Sequence, residues 1–440
     1  MNSRIIVYSA GAAVLALASA GCDLKLVEPE PVVPVEIKLD FCSNDVPIWF
    51  AAQQEGTAPF EVISPDAAGT YTFRATNRTG VAFVHQNGSD YRTEIIFTTS
   101  GDLTPLSGIA CLEESGSKQV NGNVAGVTGD QLALVGMSFS SVFLTPQQTS
   151  FTLTQLADRP LDVIGSRIIV SATAQSANRT IIRRSQEPLN GATLAPLDFD
   201  AANEGVNPVV NTATVTGVPA GDEAFLLNNF FSQLETSHML SFVDQIADGD
   251  VPFVSIPAAA LADGDYHDLV AVAVTPDVGS RGMERYFTNP GNQTLTLGPQ
   301  LSLPSVTTES TLPYVRMRTR LAGQLDYSTM VVVDFHQQTQ FSATDVSMSV
   351  TASYFGGTPF TWDLTVPPFE GLEGWQDSWG LQSGPVDWTV TGYFGRPALV
   401  FGAKPNAGEV VQFASRMSSV NALQVYRTAR VASRARRFSR

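Results

Sequence analysis

The feature that most constrains this chain is a two-residue hydrophobic period. Met348, Val350, Ala352 and Tyr354 alternate with Ser347, Ser349, Thr351 and Ser353. Phe360, Trp362, Leu364 and Val366 alternate with Thr361, Asp363 and Thr365, and Val386, Trp388 and Val390 with Asp387 and Thr389. Successive side chains of a strand point to opposite faces, so each run describes a strand with one buried and one wet face. Such strands pair antiparallel and need a second layer over their apolar face. A transmembrane barrel alternates too, but these runs are short and irregularly spaced, which argues for sandwiches instead.

Composition agrees. Only 15% of residues are charged, against about a quarter in an average domain, and glycine (35) and proline (26) are plentiful. That balance leans towards β-rich extracytoplasmic modules, and 440 residues give room for several of them. The formal net charge is −16, unevenly spread: all 42 acidic groups precede Arg416, and seven arginines run from Arg416 to Arg440. An acidic body excludes nucleic-acid binding over most of its surface.

The N-terminus reads as an export signal. Arg4 supplies a positive start, Ile5 to Leu17 is uncharged and apolar, and Ser19-Ala20-Gly21 leads into Cys22. This layout resembles the lipobox of bacterial lipoprotein precursors. The resemblance implies that residues 1–21 are cleaved, that the Cys22 thiol takes a diacylglyceryl group, and that the new amine is acylated. The expected partner is then a membrane reached through the lipid anchor, and the expected location is the bacterial cell envelope, on an extracytoplasmic side. Residues 22–38, with Glu28-Pro29-Glu30-Pro31, read as an extended proline-rich tether of up to roughly 50 Å. With Cys22 lipidated, Cys42 and Cys111 remain, an even number in an oxidising compartment. A bridge between them would close a loop of about 70 residues and stabilise by roughly 4 kcal/mol.

The body divides into four expected β-sandwich modules in series. Residues 39–115 form the first, with runs at Ile48-Trp49-Phe50-Ala51, Tyr71 to Ala75, Val81 to Val84 and Glu94 to Phe97, and a turn at Asn87-Gly88. Residues 116–216 form the second. Its Val120-x-Gly122-x-Val124 and Phe151-x-Leu153-x-x-Leu156 resemble the carboxypeptidase-regulatory-like sandwich, which implies an accessory fold and no activity. Residues 217–301 form the third. There Phe225, Leu226, Leu227, Phe230, Phe231 and Leu234 fit one face of a short helix or a strand run, and we expect a helix. Leu261-x-x-Gly264-x-Tyr266 resembles the turn and strand of immunoglobulin-like modules, with Tyr266, Val270, Val272 and Val274 on one face. Residues 302–415 form the fourth, and 416–440 a basic tail.

Catalytic signatures are absent from the sequence: no nucleophile elbow, zinc-protease motif or phosphate loop occurs, and the four histidines are far apart. Acidic pairs drawn from Glu370, Glu373 and Asp377 are the material for glycoside hydrolysis. Asp263 and Asp265 could supply hard oxygen ligands to calcium, or simply form an Asp-Gly turn, and the turn explains Gly264 as well. No other cofactor is expected. The long loop from Pro367 to Gly384 carries Trp375, Gln376, Asp377 and Trp379. Two readings compete: a platform on which a glycan stacks, or a plug for the sandwich, and the usual burial of tryptophan favours the plug. The sequence as a whole supports a lipid-anchored envelope protein with a binding, adhesion or structural role towards a glycan or envelope protein. The alternative is a hydrolase acting on polysaccharide between modules.

Overall fold

The computed structural model describes residues 34–41, 46–56, 58–103, 118–138, 140–156, 159–234, 236–339, 342–395 and 405–422. The signal, Cys22, Cys42 and Cys111 lie outside the described residues, and with them the expected lipidation and disulfide.

The fold is mainly β, built from several antiparallel sandwiches. The first module contains β1 (Val35–Leu39), β2 (Trp49–Gln53), β3 (Glu61–Val62), β4 (Tyr71–Ala75), β5 (Arg78–Asn87) and β6 (Asp90–Thr99), then one helical turn, α1 (Ser100–Leu103). The second contains β7 (Lys118–Ala125), β8 (Gln131–Met137), β9 (Ser140–Leu144), β10 (Ser150–Leu156), β11 (Leu161–Val170), β12 (Ala174–Gln186), β13 (Ala192–Thr193) and β14 (Leu197–Asp198). The third contains β15 (Val209–Thr216), β16 (Glu223–Phe231), β17 (Ser237–Asp244), β18 (Gly249–Ser255), β19 (Tyr266–Thr275), β20 (Gly279–Phe287) and β21 (Gln293–Thr296). The fourth contains β22 (Ser305–Ser310), β23 (Arg316–Ala322), β24 (Met330–Gln338), β25 (Ala343–Thr351), β26 (Thr361–Thr365), β27 (Gly384–Phe394) and β28 (Val410–Ala422).

Each module gives four strands to one sixteen-stranded sheet, ordered β3-β2-β5-β6-β25-β24-β27-β28-β20-β19-β16-β17-β12-β11-β8-β9. The spatial order is therefore first, fourth, third, second. Each module also carries a small covering sheet: β1-β4, β10-β7-β13 with β14 on β7, β18-β15-β21, and β22-β23-β26. Pairing between modules satisfies edge strands that would otherwise expose unpaired backbone groups. The first and fourth modules join through parallel β6 and β25, from Tyr91↔Thr344 to Phe97↔Val350. The fourth and third join through β28 and β20, and the third and second pair strand to strand where Ala174 to Ser176 of β12 meet Ser241 to Val243 of β17.

Where two cores flank one strand, the alternation disappears. Thr79 to Val84 of β5 are all buried. Val81 and Phe83 face a core closed by β1 and β4, and Ala82 and Val84 face a core shared with the fourth module. Leu161 to Ser166 of β11 are likewise buried, with Val163 in the second module's core and Ile164 in a cluster shared with the third. In the second module Phe151 stands opposite Gly122 on β10 and β7. A Cβ at Gly122 would lie 2.3 Å from the Phe151 ring, so only glycine lets that ring lie flat on the strand.

Several expectations are corrected. Residues 35–38, assigned to the tether, belong to β1, because Ile37 packs into the first core. Val209 to Thr216 belong to the third module: Ala213 and Val215 fill its core, and β15 pairs with β18 and β21. The expected helix around Phe225 is strand β16, whose Ala224, Leu226, Asn228 and Phe230 are buried while Phe225, Leu227 and Phe231 are half-buried. Apolar side chains on both faces produced adjacent hydrophobic residues, which imitate a helical stripe. Phe360 precedes β26 and is fully exposed, not on the Trp362 face. The tail begins later than residue 416, since β28 pairs with β27 as far as Ala422.

Candidate functional site

The tryptophan loop closes the junction between the first and last modules. Trp375 sits 5.0 Å from Trp49, 4.8 Å from Phe369, 5.5 Å from Tyr314 and 5.5 Å from Trp379. The Trp49 Nε1–H donates to the Glu373 carbonyl at 3.1 Å, and the Thr93 hydroxyl donates to the Trp379 carbonyl at 3.1 Å. Trp379 is only 4% exposed, whereas Gln376 and Asp377 lie at the surface. Trp379 thus offers no open ring for a sugar, and the arrangement is that of a plug. Glu373 and Asp377 are exposed, and Glu370 accepts a 3.4 Å bond from the Tyr314 hydroxyl.

Asp265 is committed elsewhere. Arg184 of β12 reaches across from the second module, bonding Asp265 Oδ2 at 2.5 Å and Oδ1 at 3.0 Å, and Asp162 Oδ2 at 2.9 Å. The Gln233 and Ala262 backbone N–H groups complete Asp265, and Ser185 N–H donates to Asp162. Both carboxylates are fully buried. Burial works against the Arg184 charge, but Asp265 and Asp162 outweigh it and hold the guanidinium above its ordinary range. Asp263 is exposed, and Gly264 takes the left-handed conformation of the turn. Among the described residues no group of three His, Cys, Asp or Glu side chains could hold a metal ion.

Two buried histidines brace the third module. His238 Nε2 pairs with Ser166 Oγ at 2.8 Å, and Ser166 with Thr180 at 2.9 Å. His267 Nε2 accepts the Ile256 N–H at 3.0 Å, which fixes its neutral form, and its ring stacks on Phe287. Burial lowers His238 to about 3 and His267 to about 4. Both folded values lie below the unfolded value of about 6.5, so the unfolded chain binds more protons in between. Their stability contribution is complete above pH 6.5 and is lost as pH falls towards 4 and 3. We predict a loss of about 4 kcal/mol between pH 7 and pH 5 from the two together, at about 1.4 kcal/mol per unit each. Denaturant midpoints at both pH values test this: a His238→Gln variant should lose about half of the difference. An unchanged pH slope in that variant would refute it.

A feature that sequence reasoning missed lies on the outer face of β16, β19 and β20. Asp268 stands opposite Tyr286 and Asn229, and Glu284 stands opposite Val270 and Val411. The Tyr286 hydroxyl donates to Glu284 Oε2 at 2.7 Å. Phe231 and Tyr266 stack at 4.9 Å with 4° between planes, and Tyr266 lies 6.0 Å from Tyr286. Burial, reinforced by the nearby Glu284, pushes the Asp268 carboxyl well up, and burial also raises Glu284 despite the Tyr286 hydrogen bond. The available signal was Asp268 itself, a carboxylate in the same period-two row as Tyr266, Val270, Val272 and Val274.

No family model matches this chain, and no curated protein does. A solved structure, a tetra-tandem repeat in the extending region of a large adhesion protein, is similar at 12% identity and a TM-score of 0.16. The match covers 89% of this chain and 92% of that one. At that TM-score the likeness carries no argument about what this chain does.

Proposed function

We propose that this chain is a cell-envelope lipoprotein, anchored through lipidated Cys22, whose sandwich body binds, adheres to or braces an extracytoplasmic structure. The observation that carries the reading is the way the modules are joined. Inter-strand pairing, the tryptophan plug and the Arg184 ion triad knit four sandwiches through one sheet, a construction suited to presenting a surface. The signal-like first 22 residues support the anchor. No described helix is long and apolar enough to cross a membrane. Two measurements test the proposal. Cys22→Ala should abolish labelling by a fatty-acid analogue, and unchanged labelling would refute the anchor. A glycan and peptidoglycan-fragment array probed with residues 23–440 should give reproducible binding. Turnover of a bound glycan would instead establish a hydrolase.

A further inference from the structure

We propose that Asp268 and Glu284, together with the rings of Tyr266, Tyr286 and Phe231, form a binding site for a guanidinium group. All five side chains lie on one face of β16, β19 and β20, by the register Phe231↔Tyr266 and Asp268↔Tyr286. None belongs to the hydrophobic core of the third module, which lies on the opposite face around Leu226, Leu269 and Ala271. Asp268 Oδ1 is buried and has no hydrogen-bond partner. A buried acceptor without a donor is costly, and such atoms in native proteins call for an explanation. Among the described residues no ion pair reaches Asp268 or Glu284 either.

The chemistry of the missing group follows from what surrounds it. Two carboxyls want a positive donor, and tyrosine and phenylalanine rings favour a flat cation that can stack on them. A guanidinium does both, since its planar fork matches carboxylate oxygens and its face is weakly hydrated. Calcium takes about six to eight oxygen ligands, more than this face supplies. An uncharged sugar could not stabilise the charged form of either carboxyl.

Proton linkage supports the same geometry. The groups facing Asp268 are Tyr266 on its own strand, Asn229 on β16, and Glu284 and Tyr286 on β20, while Tyr393 on β27 faces Glu284. None of them is cationic at neutral pH. A bound cation would lower both raised carboxyls, so binding should release protons and strengthen as pH rises.

The ligand has two sources: the chain's own arginines beyond Ala422 or a basic segment of another molecule. Isothermal titration of the full chain with a hexa-arginine peptide tests the site. Binding is expected, with proton release shown by buffer-dependent heats, and a hexa-citrulline peptide should not bind. Asp268→Asn and Glu284→Gln should each weaken binding at least tenfold, while Asp387→Asn, on an exposed acid of β27, should not. Wild-type affinity in both site variants would overturn the proposal. So would an equal loss in Asp387→Asn, which would mean general attraction to an acidic body. If Asp268→Asn fails to fold, Tyr266→Leu decides by the same tenfold criterion. Changing Arg427, Arg430, Arg434, Arg436, Arg437 and Arg440 to glutamine in the full chain separates the sources. Tighter peptide binding would show that the chain's own arginines compete for the site, and unchanged binding would point to an external ligand.

Discussion

Replacing Arg184 with methionine is expected to destabilise the junction of the second and third modules by about 3–5 kcal/mol. Methionine keeps much of the side-chain volume but removes the charge. Asp162 and Asp265 would then remain buried, each keeping backbone donors but no counter-charge. Burying an uncompensated charge, more than losing a contact, is what costs free energy here. The partner experiment separates the two. Asp162→Asn and Asp265→Asn in the Arg184→Met background remove the orphaned charges and should recover a large part of the loss. Urea or guanidinium unfolding, followed by hydrogen exchange on β11, β12 and β19, would measure both. A loss below about 1 kcal/mol, typical of an exposed pair, would show that the triad is solvated.

Trp379→Ala should cost a similar amount, about 3–5 kcal/mol, at the other junction. Trp379 is buried against Trp49 and Trp375, and its backbone carbonyl receives Thr93 from β6. Truncation would leave a cavity between the first and fourth modules, so exchange protection should fall on β6 and β25 before it falls on β11. Trp375→Phe provides a contrast. The Trp375 Nε1–H is buried without a partner, so removing it relieves an unsatisfied donor while keeping a ring in place. That variant should stay within about 1 kcal/mol of the parent. If Trp379→Ala leaves the unfolding midpoint unchanged, the loop is not a plug.

Local patterning was legible where one face of a strand is wet. Val386, Trp388 and Val390 of β27 are buried as their spacing predicts, and so are Trp362, Leu364 and Val366. The run from Tyr71 to Ala75 coincides with β4, and Asn87-Gly88 stands at the β5–β6 turn. Pattern failed where both faces are apolar. On β19 the sequence draws attention to Tyr266, Val270, Val272 and Val274, yet the fully buried face is His267, Leu269, Ala271 and Ala273. Small alanines sit inward, sharing a core with Ala213 and Val215 of β15 and Val251 and Phe253 of β18, and the larger side chains spread over the outer face. Size alone does not reveal which face a second sheet covers. Aspartates are equally ambiguous in sequence. Asp263 and Asp265 look alike in the string, but only Asp265 meets Arg184, 81 residues away.

The two-residue period, the turn residues and the charge balance determined, without coordinates, that this is a β-rich chain of sandwich modules with an acidic body. They do so because alternation and turn chemistry are local, set by backbone geometry within a few residues. Only the tertiary structure decided that the first module lies beside the fourth, that a tryptophan loop seals them, and that Asp268 and Glu284 share a face. Those contacts join residues as far apart as Trp49 and Trp375, and they depend on which strand edges and apolar faces complement one another. A strand's own sequence specifies its pleat and its alternation, but not the neighbour that satisfies its open edge.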